Sequence, residues 1–144
     1  FRTMQAYEAW QAHGDWIRAN DPVFGPGVRE RFEWASHVTA EEYDAAGQRR
    51  AQVRERLLSL LGDDTVLAIP TTPGIAPLRG LGGEELDSYR NRALSMLCSA
   101  GLAGLPQISL PLAEHEGCPL GVSLVAPPGR DRALVELARR IMAA

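Results

Sequence analysis

Hydrophobic and polar positions alternate most clearly between Leu105 and Ala126. Ile108 and Leu110 alternate with Gln107 and Ser109, and Val122, Leu124 and Ala126 alternate with Gly121, Ser123 and Val125. A period of two is that of a strand. Each run is entered through a proline, Pro106 and Pro119. Between them Ala113-Glu114-His115-Glu116-Gly117 is polar and ends in glycine, as a hairpin connection requires. Pro111 has no N–H to give to a ladder, so it is expected to close the first strand. A third apolar run, Thr65 to Ile69, lies between Asp63-Asp64 and Pro70 and predicts another short strand. All three runs are apolar enough for burial on both faces.

Elsewhere the apolar residues recur at helical spacing. Met4, Tyr7 and Trp10 predict a helix over residues 1–20, interrupted at Gly14, resumed at Trp16 and Ile17, and ended at Asn20-Asp21-Pro22. After the loop Phe24-Gly25-Pro26-Gly27, the positions of Val28, Phe32, Ala35 and Ser36 predict a second helix reaching Val38. Thr39-Ala40-Glu41-Glu42 is a capping box, with Thr39 set to meet the amide of Glu42 and Glu42 to reach back. It opens a helix with the stripe Tyr43, Ala46, Val53, Leu57, Leu60 and Leu61, stopped by Gly62. Arg49, Arg50, Arg54 and Arg56 face away from most of that stripe. With Glu41, Glu42, Asp44 and Glu55 to balance them, they read as a solvated face. Leu86, Tyr89, Ala93, Met96, Leu97 and Ala100 predict a helix from Glu85 to Ala100 that ends among small residues. Asp131 is placed to cap a last helix to Met142, burying Leu134, Leu137, Ala138 and Ile141.

The predicted order is three helices, strand, helix, two strands, helix. Residues 1–62 are helical, and residues 63–144 form a strand-loop-helix, a β-hairpin and a closing helix. This is an α/β pattern. Three strands are few for so much helix, and a small sheet leaves edges for another segment to pair with. The chain also opens on Phe1 within a helical pattern. Together these features lead to the expectation of a segment of a longer polypeptide.

Composition narrows the chemistry. The 144 residues suit one domain, two at most. A net charge of −3 argues against nucleic acid or an anionic membrane as partner. No apolar run reaches the ~18 residues of a membrane span, and no apolar region follows Phe1-Arg2-Thr3-Met4 as in a signal peptide. Cys98 and Cys118, set beside Met96-Leu97 and Pro119-Leu120, read as free, buried thiols of a cytoplasmic protein. All 15 basic residues are arginine. Without lysine, no mechanism that needs a titratable side-chain amine can be completed within these residues.

Candidate sites are few. Pro70-Thr71-Thr72-Pro73-Gly74-Ile75-Ala76-Pro77 is a stiff loop hung from a strand end, either lining a site or serving as a connector. His115, between Glu114 and Glu116, reads as an exposed loop histidine, and His13 and His37 lack partners. The histidines and cysteines have no metal-ligand spacing. Cys118 reads as packing rather than as a nucleophile. Gly80-Leu81-Gly82-Gly83 does not link a strand to a helix as a phosphate loop does. No catalytic residue, metal ligand or cofactor is assigned.

The second half resembles the C-terminal end of an amidase signature family enzyme. The resemblance rests on Ile69-Pro70-Thr71-Thr72-Pro73 with Ala76-Pro77, on Gly104-Leu105-Pro106 with Ser109-Leu110-Pro111, and on Pro119-Leu120-Gly121-Val122-Ser123-Leu124-Val125 ahead of a loop, an aspartate and a closing helix. It covers residues 39–144 and, more loosely, 1–38. It implies the C-terminal part of the amidase signature fold, a mixed sheet of short strands covered by helices. It also implies hydrolysis of a carboxamide to an acid and ammonia or an amine by a Ser–Ser–Lys triad, with backbone amides stabilising the oxyanion. In the family that triad lies in an upstream Gly- and Ser-rich core. This chain has no Gly-Ser-Ser-Gly stretch, and Ser36, Ser59, Ser88, Ser95, Ser99, Ser109 and Ser123 are isolated. No triad residue carries over, and the segment is expected to be inactive alone. What carries over is the loop near the substrate pocket, with Thr72, Pro73 and Gly74 as substrate-binding residues. The implied partner is a small-molecule amide, with neither nucleic acid nor membrane, and unpaired strand edges leave room for an oligomer. The alternative is a non-catalytic protein-binding domain derived from the amidase fold.

Overall fold

The computed structural model describes residues 1–25 and 27–143; Pro26, read above as part of the loop before the second helix, lies outside the described residues. The chain divides into two units, Phe1–Gln52 and Val53–Ala144, with the boundary inside a helix.

The first unit holds α1 (Arg2–Asn20), α2 (Val28–Ala35) and the first half of α3 (Ala40–Leu61). Gly14 does not interrupt α1. The Trp10 indole lies over it, and a Cβ there would come within 2.9 Å of Trp10 Cε2. The glycine therefore seats the ring one turn below it. Trp16 does not resume the buried face and is 56% exposed. α2 stops at Ala35 rather than Val38, because the Ser36 hydroxyl donates to the Glu33 carbonyl at 2.7 Å and offers the backbone a local alternative. Phe24 stacks on Phe32 with ring centres 5.3 Å apart. The capping box forms as expected: Thr39 N–H donates to Glu42 Oε2 at 2.9 Å, and Glu42 N–H donates to Thr39 Oγ1 at 3.2 Å. Tyr43 stacks on Tyr7 at 4.6 Å and donates its hydroxyl to Glu8 Oε1 at 3.0 Å. That bond exists only with a neutral phenol, so it raises the Tyr43 pKa above its ordinary value.

The second unit contains the end of α3, β1 (Leu67–Pro70), α4 (Gly83–Ala103), β2 (Gln107–His115), β3 (Cys118–Val125) and α5 (Asp131–Ala143). The strands form one sheet in the order β1-β3-β2, and both pairings are antiparallel. The α/β arrangement of short strands under helices is the expected one. The parallel pairing of a mixed sheet is not made among these three strands. On one face Val125 packs with Leu61, Ala100, Ala103 and Leu105, joined by Leu57, Leu58, Leu67 and Ile69. On the other, Leu110, Leu124 and Ala126 pack with Leu134 and Ala138 of α5, joined by Val66, Ile108, Leu137 and Ile141. The neighbouring β3 residues Leu124 and Val125 thus serve different helices.

Several expectations are corrected. Leu60 is 63% exposed and Val53 also faces out. At about 100° of rotation per residue, Leu57, Leu58 and Leu61 already occupy the sheet-facing arc. Arg54 stays exposed as expected, but it is also tied down: its Nη1 donates to the Ala103 carbonyl at the end of α4. Asp131 is the first residue of α5 rather than its cap, since Leu134 N–H bonds the Arg130 carbonyl. Cys98 and Cys118 are free but half-buried. Pro111 does not close β2. The strand passes through it by a bulge between Leu110 and Ala113, where a missing N–H is tolerated. The hairpin loop consequently shrinks to Glu116-Gly117, both at positive φ (52° and 73°), as a tight two-residue turn needs.

α4 ends at Gly104 (φ 64°), and Leu105 N–H reaches back to the Ala100 carbonyl at 2.9 Å. This left-handed turn, held from the side by Arg54, aims the chain into β2. No helix of the described residues is long and apolar enough to cross a membrane.

Candidate functional site

The end of β1 is fixed to the sheet by a row of hydroxyls. Thr71 Oγ1 lies 2.9 Å from Ser123 Oγ, which lies 2.9 Å from Ser109 Oγ. Ser123 is fully buried. The polar position Ser123 of the alternation on β3 is thus buried as expected, with its hydroxyl bonded to that of Ser109 on β2 and to that of Thr71 just beyond β1. Thr71 N–H also donates to the Gly121 carbonyl at 2.9 Å. This anchoring sets where the loop after Pro70 begins. The loop is then tied internally: the Thr72 hydroxyl donates to the Gly74 carbonyl at 2.8 Å, and Tyr89 of α4 reaches the same oxygen at 3.5 Å.

Beside this loop is an open depression of about 660 Å³, lined by Pro70, Thr72, Pro73, Gly74, Asn91, Arg92, Ser95, Met96, His115 and Leu120. Thr72, Pro73 and Gly74, the residues singled out from the sequence, all lie on its wall. Asn91, Arg92, Ser95 and Met96 form a second wall because residues three and four apart share one face of α4. The sequence places His115 in the hairpin loop. In the structure it is the last residue of β2, paired with Cys118, and stands at the rim with its Nε2 3.9 Å from Glu116 Oε1. The signal that would have placed it was Pro111. A proline inside a continuing strand means a bulge, and a bulge shifts the side-chain alternation beyond it.

A second open depression, of about 530 Å³, lies among Leu58, Gly62, Asp63, Pro127, Pro128, Gly129 and Arg130. Its residues join the end of α3 to the turn before α5.

Neither depression pairs a hydroxyl or thiol nucleophile with a base. The buried Ser123 hydroxyl is bonded to the hydroxyls of Thr71 and Ser109. No group of three or more His, Cys, Asp or Glu among the described residues is placed to hold a metal ion. The larger depression combines apolar surface from Pro70, Pro73, Met96 and Leu120 with polar groups from Thr72, Asn91, Arg92, Ser95 and His115.

Residues 10–135 match the family described as Amidase. The chain belongs to the amidase family. This amidase-family chain is 41% identical over 136 residues to Amidase 1 of Arabidopsis thaliana, covering 94% of this chain and 32% of that protein. It is 38% identical over 135 residues to the Arabidopsis thaliana chloroplastic outer envelope protein 64, covering 92% of this chain and 23% of that one. A solved structure described as a crystal structure of amidase superposes with a TM-score of 0.80 at 27% identity, over 98% of this chain and 34% of the other. The amidase-family chain thus spans about a third or less of the length of these relatives.

Proposed function

We propose that this chain is the C-terminal part of an amide hydrolase, in which residues 1–144 complete the sheet and supply one wall of the pocket for a small carboxamide. The observation that carries the reading is convergence. In a chain of the amidase family, the Pro70–Gly74 loop, one face of α4 and the end of the hairpin meet on a single depression. In this reading Thr72, Pro73 and Gly74 contact the substrate. The triad comes from an upstream region. Its serine attacks the carbonyl, ammonia or an amine leaves, and water releases the acid. The lack of any lysine in these residues supports an external source for the base. The free thiols of Cys98 and Cys118 suit a cytoplasmic setting, and the outer edges of β1 and β2 are where an oligomer or the upstream strands would join.

The test is additive. A polypeptide that places an amidase-family core with its lysine ahead of Phe1 should release ammonia or an amine from a carboxamide, and the 144-residue chain should not. Hydrolysis by the 144 residues alone refutes the reading.

A second reading has its own support, since one relative is named for an envelope rather than for an enzyme. In it the chain is a non-catalytic domain that binds a protein through its sheet edges. A longer polypeptide without hydrolytic activity, together with a specific protein complex at β1 or β2, would favour it.

A further inference from the structure

The charge on the larger depression is one-sided. Its ten lining residues include no Asp or Glu, and Arg92 is the one lining side chain with a permanent charge. This occurs in a chain whose 18 acidic residues outnumber its 15 basic ones. Two positions earlier on the same helix, Arg90 is paired with Asp87 at 3.4 Å. Arg92 makes no ion pair or hydrogen bond among the described residues. Its five N–H donors therefore stand at the depression without a protein acceptor. His115, at the rim, adds a further ring nitrogen, and its acidic neighbour Glu116 lies outside the lining. Pro70, Pro73, Met96 and Leu120 make the rest largely apolar.

We propose that this depression takes an amide whose apolar body carries a carboxylate, with Arg92 as the residue that reads the negative charge. The inference rests on the pocket reading above and narrows it from any small carboxamide to an anionic one. A planar guanidinium matches a carboxylate through two parallel hydrogen bonds, which fixes orientation as well as charge. The apolar wall favours a flat or branched body over a hydrated one. Arg92 is exposed, so its effect is that of a screened surface charge and not of a buried pair.

The test uses two ligands of one shape. Terephthalamate and terephthalamide share the ring and the carboxamide and differ in one negative charge. Each is titrated into the 144-residue chain and into R92Q, with binding followed by NMR shifts of Thr72, Gly74 and Ser95. The expected result is that terephthalamate binds about threefold to fivefold tighter than terephthalamide, and that R92Q abolishes the difference. Added salt should shrink the preference in the wild-type chain only. Equal binding of both ligands with shifts at Thr72 and Gly74 overturns this inference and leaves the pocket reading standing. Binding of neither ligand overturns this inference, while the pocket reading stands or falls on the additive experiment above.

Discussion

Gly121→Ala is the substitution whose cost the structure makes most explicit. A Cβ at Gly121 would lie 2.7 Å from Thr71 Oγ1 and 2.9 Å from Thr71 Cβ. The second contact is to an atom fixed by the backbone, so no rotamer change clears it. The Thr71 N–H bond to the Gly121 carbonyl at 2.9 Å holds the two residues together, so relief requires prising the end of β1 from β3. Overpacking of this kind costs about 1–3 kcal/mol. Moving Thr71 also weakens its bond to Ser123, worth roughly 0.5–1.5 kcal/mol. Taking about 3 kcal/mol in all, the midpoint of thermal unfolding should fall by roughly 6–12 °C. The three tryptophans, Trp10, Trp16 and Trp34, lie in the first unit and report poorly on this region. Circular dichroism and hydrogen exchange of the β1 and β3 amides are the assays of choice. Thr71→Gly removes the colliding atoms, so the double variant should be more stable than the sum of the two single losses predicts. A fall of less than about 2 °C for Gly121→Ala, or strict additivity in the cycle, would refute the steric account.

Further predictions concern the same framework. Ser123→Ala removes the middle hydroxyl of the row and should cost about 1–3 kcal/mol in urea unfolding, with an unchanged denaturant slope. Arg54→Met should cost about 1–2 kcal/mol by freeing the Ala103 carbonyl, visible as faster exchange at the last turn of α4 and unchanged exchange in α5. Thr39→Ala should cost about 1 kcal/mol and fray the first turn of α3, measured by the exchange of the Glu42 amide. The Tyr43 phenol, raised by its bond to Glu8, adds stability that is fully present below the unfolded tyrosine pKa of about 10 and is lost as pH rises through the folded value. Absorbance titration should show Tyr43 ionising at lower pH in Glu8→Gln, and an unchanged titration would remove the bond from the account.

Much of the fold could be read from the sequence because local signals and tertiary demands agree. Thr39 and Glu42 cap α3 within four residues of chain, and the periods of Leu134, Ala138, Ile108 and Leu124 match the faces that pack. Where they disagree, the deciding partner is distant in sequence. Arg54 looks like a surface charge until the Ala103 carbonyl comes within reach. Ser109 and Ser123 look isolated until antiparallel pairing sets them opposite each other, with Thr71 completing the row. The loop wall of the depression was visible as Thr72, Pro73 and Gly74, because proline and glycine mark loops directly. The helix wall was hidden, because Asn91, Arg92 and Ser95 resemble any solvated helix face. His115 was hidden by the bulge that carries β2 past Pro111.

That bulge has a consequence for assembly. A strand can recruit another only where its outward N–H and C=O groups form an unbroken, evenly pitched series. Beyond Leu110 the series on β2 is broken twice, by the imino nitrogen of Pro111 and by the extra residue at Leu112. The far half of the hairpin is thereby protected against accretion of foreign chain. Any enlargement of the sheet is steered to β1 or to the Gln107–Leu110 stretch, next to the packed core and away from the hairpin tip.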